Sequence, residues 1–181
     1  MKRQSIGALA LACALMPALA CAEDRPSPQQ EALKLINDTR RSVGLLPLAW
    51  SAPLAQAAQR HSEDMASKGF VDVIGTDGST TATRARAAGY AGWDERFAVR
   101  EAVFAGPNGF MAALEFMLGN IDARRALLGR RYREVGVGVS YDAQRAYWSV
   151  VVGVAHLHQR GRANHQSQSN RCAVGSGGSI S

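Results

Sequence analysis

The chain has 181 residues, 46% of them hydrophobic and 20% charged, with a formal net charge of +6. That length supplies one domain able to bury an adequate core without disulfides. The basic residues are scattered apart from Arg124-Arg125 and Arg130-Arg131, which gives nucleic-acid binding little support and reads as a solvated face.

Lys2 and Arg3 precede the apolar run Ile6 to Met16, which leads through Pro17 to the small-residue stretch Ala20-Cys21-Ala22. This is the pattern of a signal peptide over residues 1–22. The run is shorter than the roughly 20 residues that span a bilayer, so the mature chain is expected to be exported, periplasmic or extracellular, with no transmembrane segment. Cleavage after Ala22 is favoured; cleavage after Ala20 would instead expose Cys21 to lipidation. Without Lys2 and Arg3, 19 of the 21 basic residues remain against 15 acidic ones, a formal +4 over 159 residues. Cys13 and Cys21 leave with the leader, so Cys172 is then the one cysteine and no internal disulfide can form.

Ser27-Pro28-Gln29-Gln30 has the grammar of a helix start, and the helix should run to about Val43, with Ala32, Leu33, Ile36 and Val43 on its apolar face and Gly44 as its stop. A short connection through Leu48-Ala49-Trp50 leads to Ser51, a cap for a second helix in which Leu54, Ala58, His61 and Met65 recur at helical spacing until Gly69. Gly75-Thr76-Asp77-Gly78 is a turn, and Ser79 to Ala88 predicts a short helix closed by Gly89. Phe97 to Phe104 reads as extended. Pro107-Asn108-Gly109 then opens a helix with Phe110, Met111, Leu114 and Met117 on its apolar side. Arg133 to Tyr141 and Ala146 to Gly153 predict a hairpin around the turn Asp142 to Arg145. Helices followed by a strand pair point to an α+β layered domain. From Gln159 the composition is too polar to order itself, so the chain divides into a leader (1–22), a lead (23–30), a domain (31–155) and a disordered tail (156–181).

The order of several motifs resembles the bacterial secreted branch of the CAP (SCP) superfamily of cysteine-rich secretory, antigen 5 and pathogenesis-related proteins. The resemblance rests on Ile36-Asn37-Asp38-Thr39-Arg40-Arg41 with Gly44 to Leu48, on His61-Ser62-Glu63-Asp64-Met65, and on Asp77-Gly78-Ser79 with Arg84 and Ala88-Gly89-Tyr90. It continues through Glu101, Leu127-Leu128, Glu134 to Val139 and Tyr147-Trp148. It implies a three-layer α/β/α sandwich with a mostly antiparallel central sheet, in a secreted and usually non-enzymatic protein.

In many relatives a central cleft holds two histidines and two glutamates and can bind a divalent metal such as zinc. Here Val73 and Ala123 stand where the histidines are implied, with Asp122 the alternative for the second slot, while Glu101 and Glu134 match the glutamates. Without imidazoles no cofactor and no tightly bound metal is expected, although Asp72 and Asp122 could turn inward as oxygen ligands. Two carboxylates in one partly buried cleft repel, so one needs a raised pKa or a cationic partner; for Glu101 the simplest partner is a neighbouring arginine. His61 reads either as a satisfied core histidine or as a third cleft group. The paired histidines His156 and His158 and the tail residue His165 carry no assigned role.

The first functional reading is a monomeric, non-catalytic binding protein for an apolar or cell-envelope ligand, with Glu101, Glu134 and His61 as cleft candidates. A second is an envelope-polymer hydrolase using Glu101 and Glu134 as acid and base. A third is a protein-docking domain with an inactive cleft.

Overall fold

The computed structural model describes residues 25–90, 99–107 and 109–154. The leader, Phe97 and the polar tail lie outside the described residues.

Helix α1 spans Pro28–Ser42. Ser27 and Gln30 close its first turn reciprocally: the Ser27 Oγ accepts from the Gln30 amide at 3.2 Å, and the Ser27 amide donates to Gln30 Oε1 at 2.7 Å. The supposed lead at 23–30 therefore ends inside a helix. Val43 lies past the last turn and is exposed, so it does not belong to the apolar face.

Strand β1 (Ala49–Trp50) is a two-residue element that the sequence pattern did not announce, and α2 runs over Ala52–Lys68. Ser51 occupies the cap position of α2 without a side-chain cap bond, whereas Gly69 supplies the left-handed stop at φ 69°. Helix α3 (Thr81–Ala87) is capped by Thr80. Strand β2 (Val99–Gly106) is followed by α4 (Phe110–Gly119) and by α5 (Ile121–Leu127), a helix not foreseen, whose cap Asn120 accepts from the amides of Asp122 and Ala123. Strands β3 (Glu134–Tyr141) and β4 (Ala146–Gly153) form the expected hairpin, with Asp142 accepting from the Gln144 and Arg145 amides in the turn.

The sheet order is β1-β3-β4-β2; β1 runs parallel to β3, and the other pairings are antiparallel. The sheet is thus mixed only through its shortest strand. All eight residues of β4 are buried, as befits a strand covered on both faces. On one face α2 and α3 bring Leu54, Ala57, Ala58 and Ala85 against Val99 and Val151. On the other, α1, α4 and α5 pack Ile36, Phe110, Met117 and Leu127 against Val135, Val137, Trp148 and Val150. This is an α/β/α sandwich.

Two glycines set the distance between α2 and the sheet. A Cβ at Gly136 would lie 2.0 Å from the Ala55 amide nitrogen, and one at Gly138 would lie 2.3 Å from the Ala58 carbonyl carbon. The helix backbone rests directly on the strand because neither position has a side chain. Among the described residues no helix is long and apolar enough to cross a membrane.

Candidate functional site

Register decides which residues share a sheet face. Glu101 pairs with Val151, which pairs with Gly136; Val99 pairs with Gly153, which pairs with Glu134. Side chains alternate along a strand, so Glu101 and Glu134 both face α2 and α3, but two strands and two residues apart.

Glu101 is built into a closed set of partners. Its Oε1 accepts from Ser149 Oγ at 2.6 Å, and its Oε2 accepts from Thr81 Oγ1 and from Arg84 Nη2, each at 2.6 Å. The Glu101 side chain exposes no surface and that of Arg84 only 9%. A buried ion pair is tolerated when further hydrogen bonds support both partners, as Thr81 and Ser149 do here for Glu101. Arg84 also donates to the carbonyls of Val73 and Ser79, both at 2.7 Å, so the same guanidinium ties the 71–80 loop to the sheet.

His61, on α2, is 1% exposed. Its Nε2 lies 2.7 Å from the Asp72 carbonyl oxygen and 4.0 Å from Glu101 Oε1. A carbonyl only accepts, so Nε2 carries the proton, and among the described residues Nδ1 has no hydrogen-bond partner. The ring meets Phe70 edge-on at 6.2 Å. His61 therefore packs beside the Glu101 cluster and anchors the start of the loop.

Glu134 is placed elsewhere. It begins β3 next to Tyr90, whose hydroxyl donates to the Val154 carbonyl at 2.7 Å. Burial and then the neighbouring Glu134 carboxylate push the Tyr90 phenol well above its usual range. A Cβ at Gly153 would lie 2.3 Å from the Tyr90 oxygen, so the ring covers the sheet at the position that pairs with Glu134.

A groove of about 660 Å³ runs past the edge strand β2, lined by Val73, Ile74, Thr81, Glu101, Asp122 and Tyr132. Arg100, Arg125 and Arg131 add positive charge to its walls. Glu134 and His61 do not line it; His61 borders a second depression of about 460 Å³, lined also by Asp64, Asp77 and Arg84. Of the two glutamates that the sequence reading paired as acid and base, only Glu101 lines this groove. Of the implied histidine positions, Val73 lines the groove, and of the two alternatives for the second, Asp122 lines it while Ala123 faces the core.

The donors present do not fit a family-type metal. Val73 offers no ligand atom, both Glu101 oxygens are engaged, and the nearest imidazole points its protonated nitrogen at a carbonyl. Among the described residues no group of three or more histidine, cysteine or acidic side chains is arranged to hold an ion.

Sequence reasoning named Arg84 only within a motif and missed Thr81 and Ser149. The available signal was Ser149 itself, a hydroxyl in the otherwise apolar run of β4, which has to find a partner once that strand is buried.

The family model for the CAP cysteine-rich secretory protein family matches residues 33–154. Among solved structures the chain is similar to an extracellular protein containing an SCP domain from Bacillus anthracis, at 22% identity and a TM-score of 0.60, over 71% of this chain and 40% of that one. It is similar to an outer surface protein of Borrelia burgdorferi at 16% identity and a TM-score of 0.59, over 70% and 95%. A cysteine-rich secretory protein from Staphylococcus aureus matches at 20% identity and a TM-score of 0.53, over 74% and 40%. The chain spans less than half the length of the Bacillus and Staphylococcus proteins. At such identities the likeness establishes the fold. No curated protein matches the sequence at a significant level.

Proposed function

The chain belongs to the cysteine-rich secretory protein (CAP) family, and from that premise we propose that it is an exported, non-catalytic binding protein whose groove beside Glu101 accepts an apolar or cell-envelope ligand. The observation that carries this reading is the engagement of Glu101: a carboxylate with no exposed surface, held on both oxygens by Thr81, Arg84 and Ser149, is placed to tie the fold together and not to meet water or a leaving group. The groove beside it remains open and partly apolar through Val73 and Ile74. Export is supported by the leader pattern and agrees with the extracellular and outer-surface descriptions of the Bacillus and Borrelia proteins.

The hydrolase alternative needs two carboxylates flanking one bond, and Glu134 is turned to Tyr90 rather than to the groove. The test is titration of the purified protein with a fluorescent long-chain fatty acid, alongside incubation with purified peptidoglycan. Saturable binding that weakens in Val73→Asp and Ile74→Asp, with no soluble fragments released from peptidoglycan, is the expected result. Fragment release abolished by Glu101→Gln would overturn the proposal. Failure of the probe to bind at all would leave the inactive-cleft docking domain in its place.

A further inference from the structure

The arginine pairs Arg124-Arg125 and Arg130-Arg131 fall at one corner of the fold. Residues 121–133 carry Arg124, Arg125, Arg130, Arg131 and Arg133 against the single acid Asp122. That surplus of four equals the surplus of the whole chain after residue 22; residues 23–120 and 134–154 together carry 11 basic against 14 acidic side chains, and residues 155–181 carry three arginines and no acid.

Helix α5 gives this corner its shape. Ala123, Ala126 and Leu127 turn inward to the core, which leaves Ile121, Arg124 and Arg125 on the outer side with Leu128 half-buried behind them. These positions are spaced i, i+3, i+4 and i+7, one stripe along the helix and out of its end. They border a shallow depression of about 480 Å³. Ile121 is 63% exposed, so an aliphatic side chain stands in water one turn before Arg124 and Arg125. The helix thus carries one exposed aliphatic residue on its charged outer side, opposite its buried apolar side.

Among the described residues, Arg124, Arg125, Arg130 and Arg133 are weakly compensated. Arg125 and Asp122 approach to 3.5 Å, but their side chains are 72% and 86% exposed, and such pairs contribute little in water. Arg133 donates to the carbonyls of Tyr132 and Arg130, which carry no charge. Arg124 and Arg130 have no carboxylate partner among the described residues. Beneath the patch Arg40 is buried, donating to the carbonyls of Leu46, Leu127 and Gly129. Burial and then the charge of Arg133 push its guanidinium below the ordinary range, so a further cation lies under the same corner.

We propose that the outer face of α5 and the following loop to Arg133 docks the protein onto an anionic phospholipid surface. Guanidinium groups match phosphate oxygens in a bidentate geometry and are less strongly hydrated than ammonium groups, which suits an interface. Ile121 enters the boundary between headgroups and acyl chains, where an isolated aliphatic side chain gains what it cannot gain in water. A soluble polyanion would engage the arginines yet leave Ile121 exposed, and this favours the lipid surface. The inference stands apart from the groove reading, because the depression at Ile121 and the groove at Val73 have only Arg125 in common.

The test is sedimentation of the chain from Glu23 onward, which contains every described element, with vesicles of phosphatidylcholine alone and of phosphatidylcholine mixed with phosphatidylglycerol. Binding to the mixed vesicles that falls steeply with salt is expected. Each arginine at such a surface multiplies partitioning by roughly five, so Arg124→Gln with Arg125→Gln should lower it about 25-fold. Ile121→Ser should lower it further at unchanged charge. Arg60→Gln with Lys68→Gln, which removes the same charge from exposed positions on α2 across the sheet, should leave binding nearly intact. Equal binding to neutral and anionic vesicles, or equal losses from the α5 and α2 pairs, would overturn the proposal. So would tight binding to soluble polyphosphate with no vesicle association, which would make the corner a polymer site.

Discussion

Arg84 on α3 and Glu101 on β2, 17 residues apart in sequence, meet at 2.6 Å with both side chains nearly or wholly out of water. The pair does more than neutralise a buried carboxylate. Through the Val73 and Ser79 carbonyls the same arginine fixes the loop that forms one wall of the groove. A charge that looks like a reactive group in sequence is, in the folded chain, a clamp between loop, helix and sheet.

Removing one member of that clamp strands the other. Arg84→Met leaves Glu101 with only the Thr81 and Ser149 hydroxyls, and losses of about 3–5 kcal/mol are typical when a buried pair is broken from one side. The double variant Arg84→Met, Glu101→Gln no longer buries a lone charge and should regain much of that loss. Urea denaturation of the two variants reads the difference directly; equal stabilities would show that the pair is not coupled.

Gly136 is predicted to be intolerant of the smallest side chain. Its Cβ would collide with backbone atoms of Leu54 and Ala55, which cannot rotate away. Gly136→Ala should therefore cost at the upper end of the roughly 1–3 kcal/mol seen for overpacking, because α2 has to lift off the sheet. Thermal melting checks this, with Gly119→Ala, where nothing lies near the added carbon, as the control.

Asn37 joins α1 to the segment before β1 by two buried hydrogen bonds, donating to the Leu48 carbonyl at 3.0 Å and accepting from the Leu48 amide at 2.7 Å. Asn37→Ala leaves both backbone groups unpaired, for an expected loss of about 2–4 kcal/mol in chemical denaturation.

Asp142 provides a pH dependence. Its carboxylate accepts from the Tyr147 hydroxyl and from the Gln144 and Arg145 amides, and the Tyr147 bond first and the turn amides after it lower its pKa to about 2. A depressed folded-state value means that this stabilisation is present above the ordinary carboxylate range and is lost as pH falls from about 4 toward 2. Asp142→Asn should flatten the acid limb of a stability profile, and an unchanged limb would show that the hairpin turn does not contribute to it.

Much of the architecture was legible because it depends on local signals. The Ser27 capping box, the Gly69 stop and the alternation flanking Asp142 each act within a few residues, and each appears in the fold where the sequence placed it. Helix α5 escaped because its seven residues are too few to show a period, and β1 because two residues pair only with a strand more than 80 positions away. The sequence left Glu101 open between a cleft carboxylate and the partner of a neighbouring arginine, and Arg84 could not be singled out among many arginines until α3 was laid across β2.

The sequence by itself determined the layered α+β class, the family and most element boundaries, since hydrophobic period and capping chemistry are written in neighbouring residues. Only the tertiary structure decided what the candidate groups do. Register and helix placement turned Glu134 toward Tyr90, closed Glu101 among Thr81, Arg84 and Ser149, and left the arginines of α5 facing outward. The physical reason is that a side chain's chemistry is set by the few ångströms around it, and those neighbours come from distant parts of the chain.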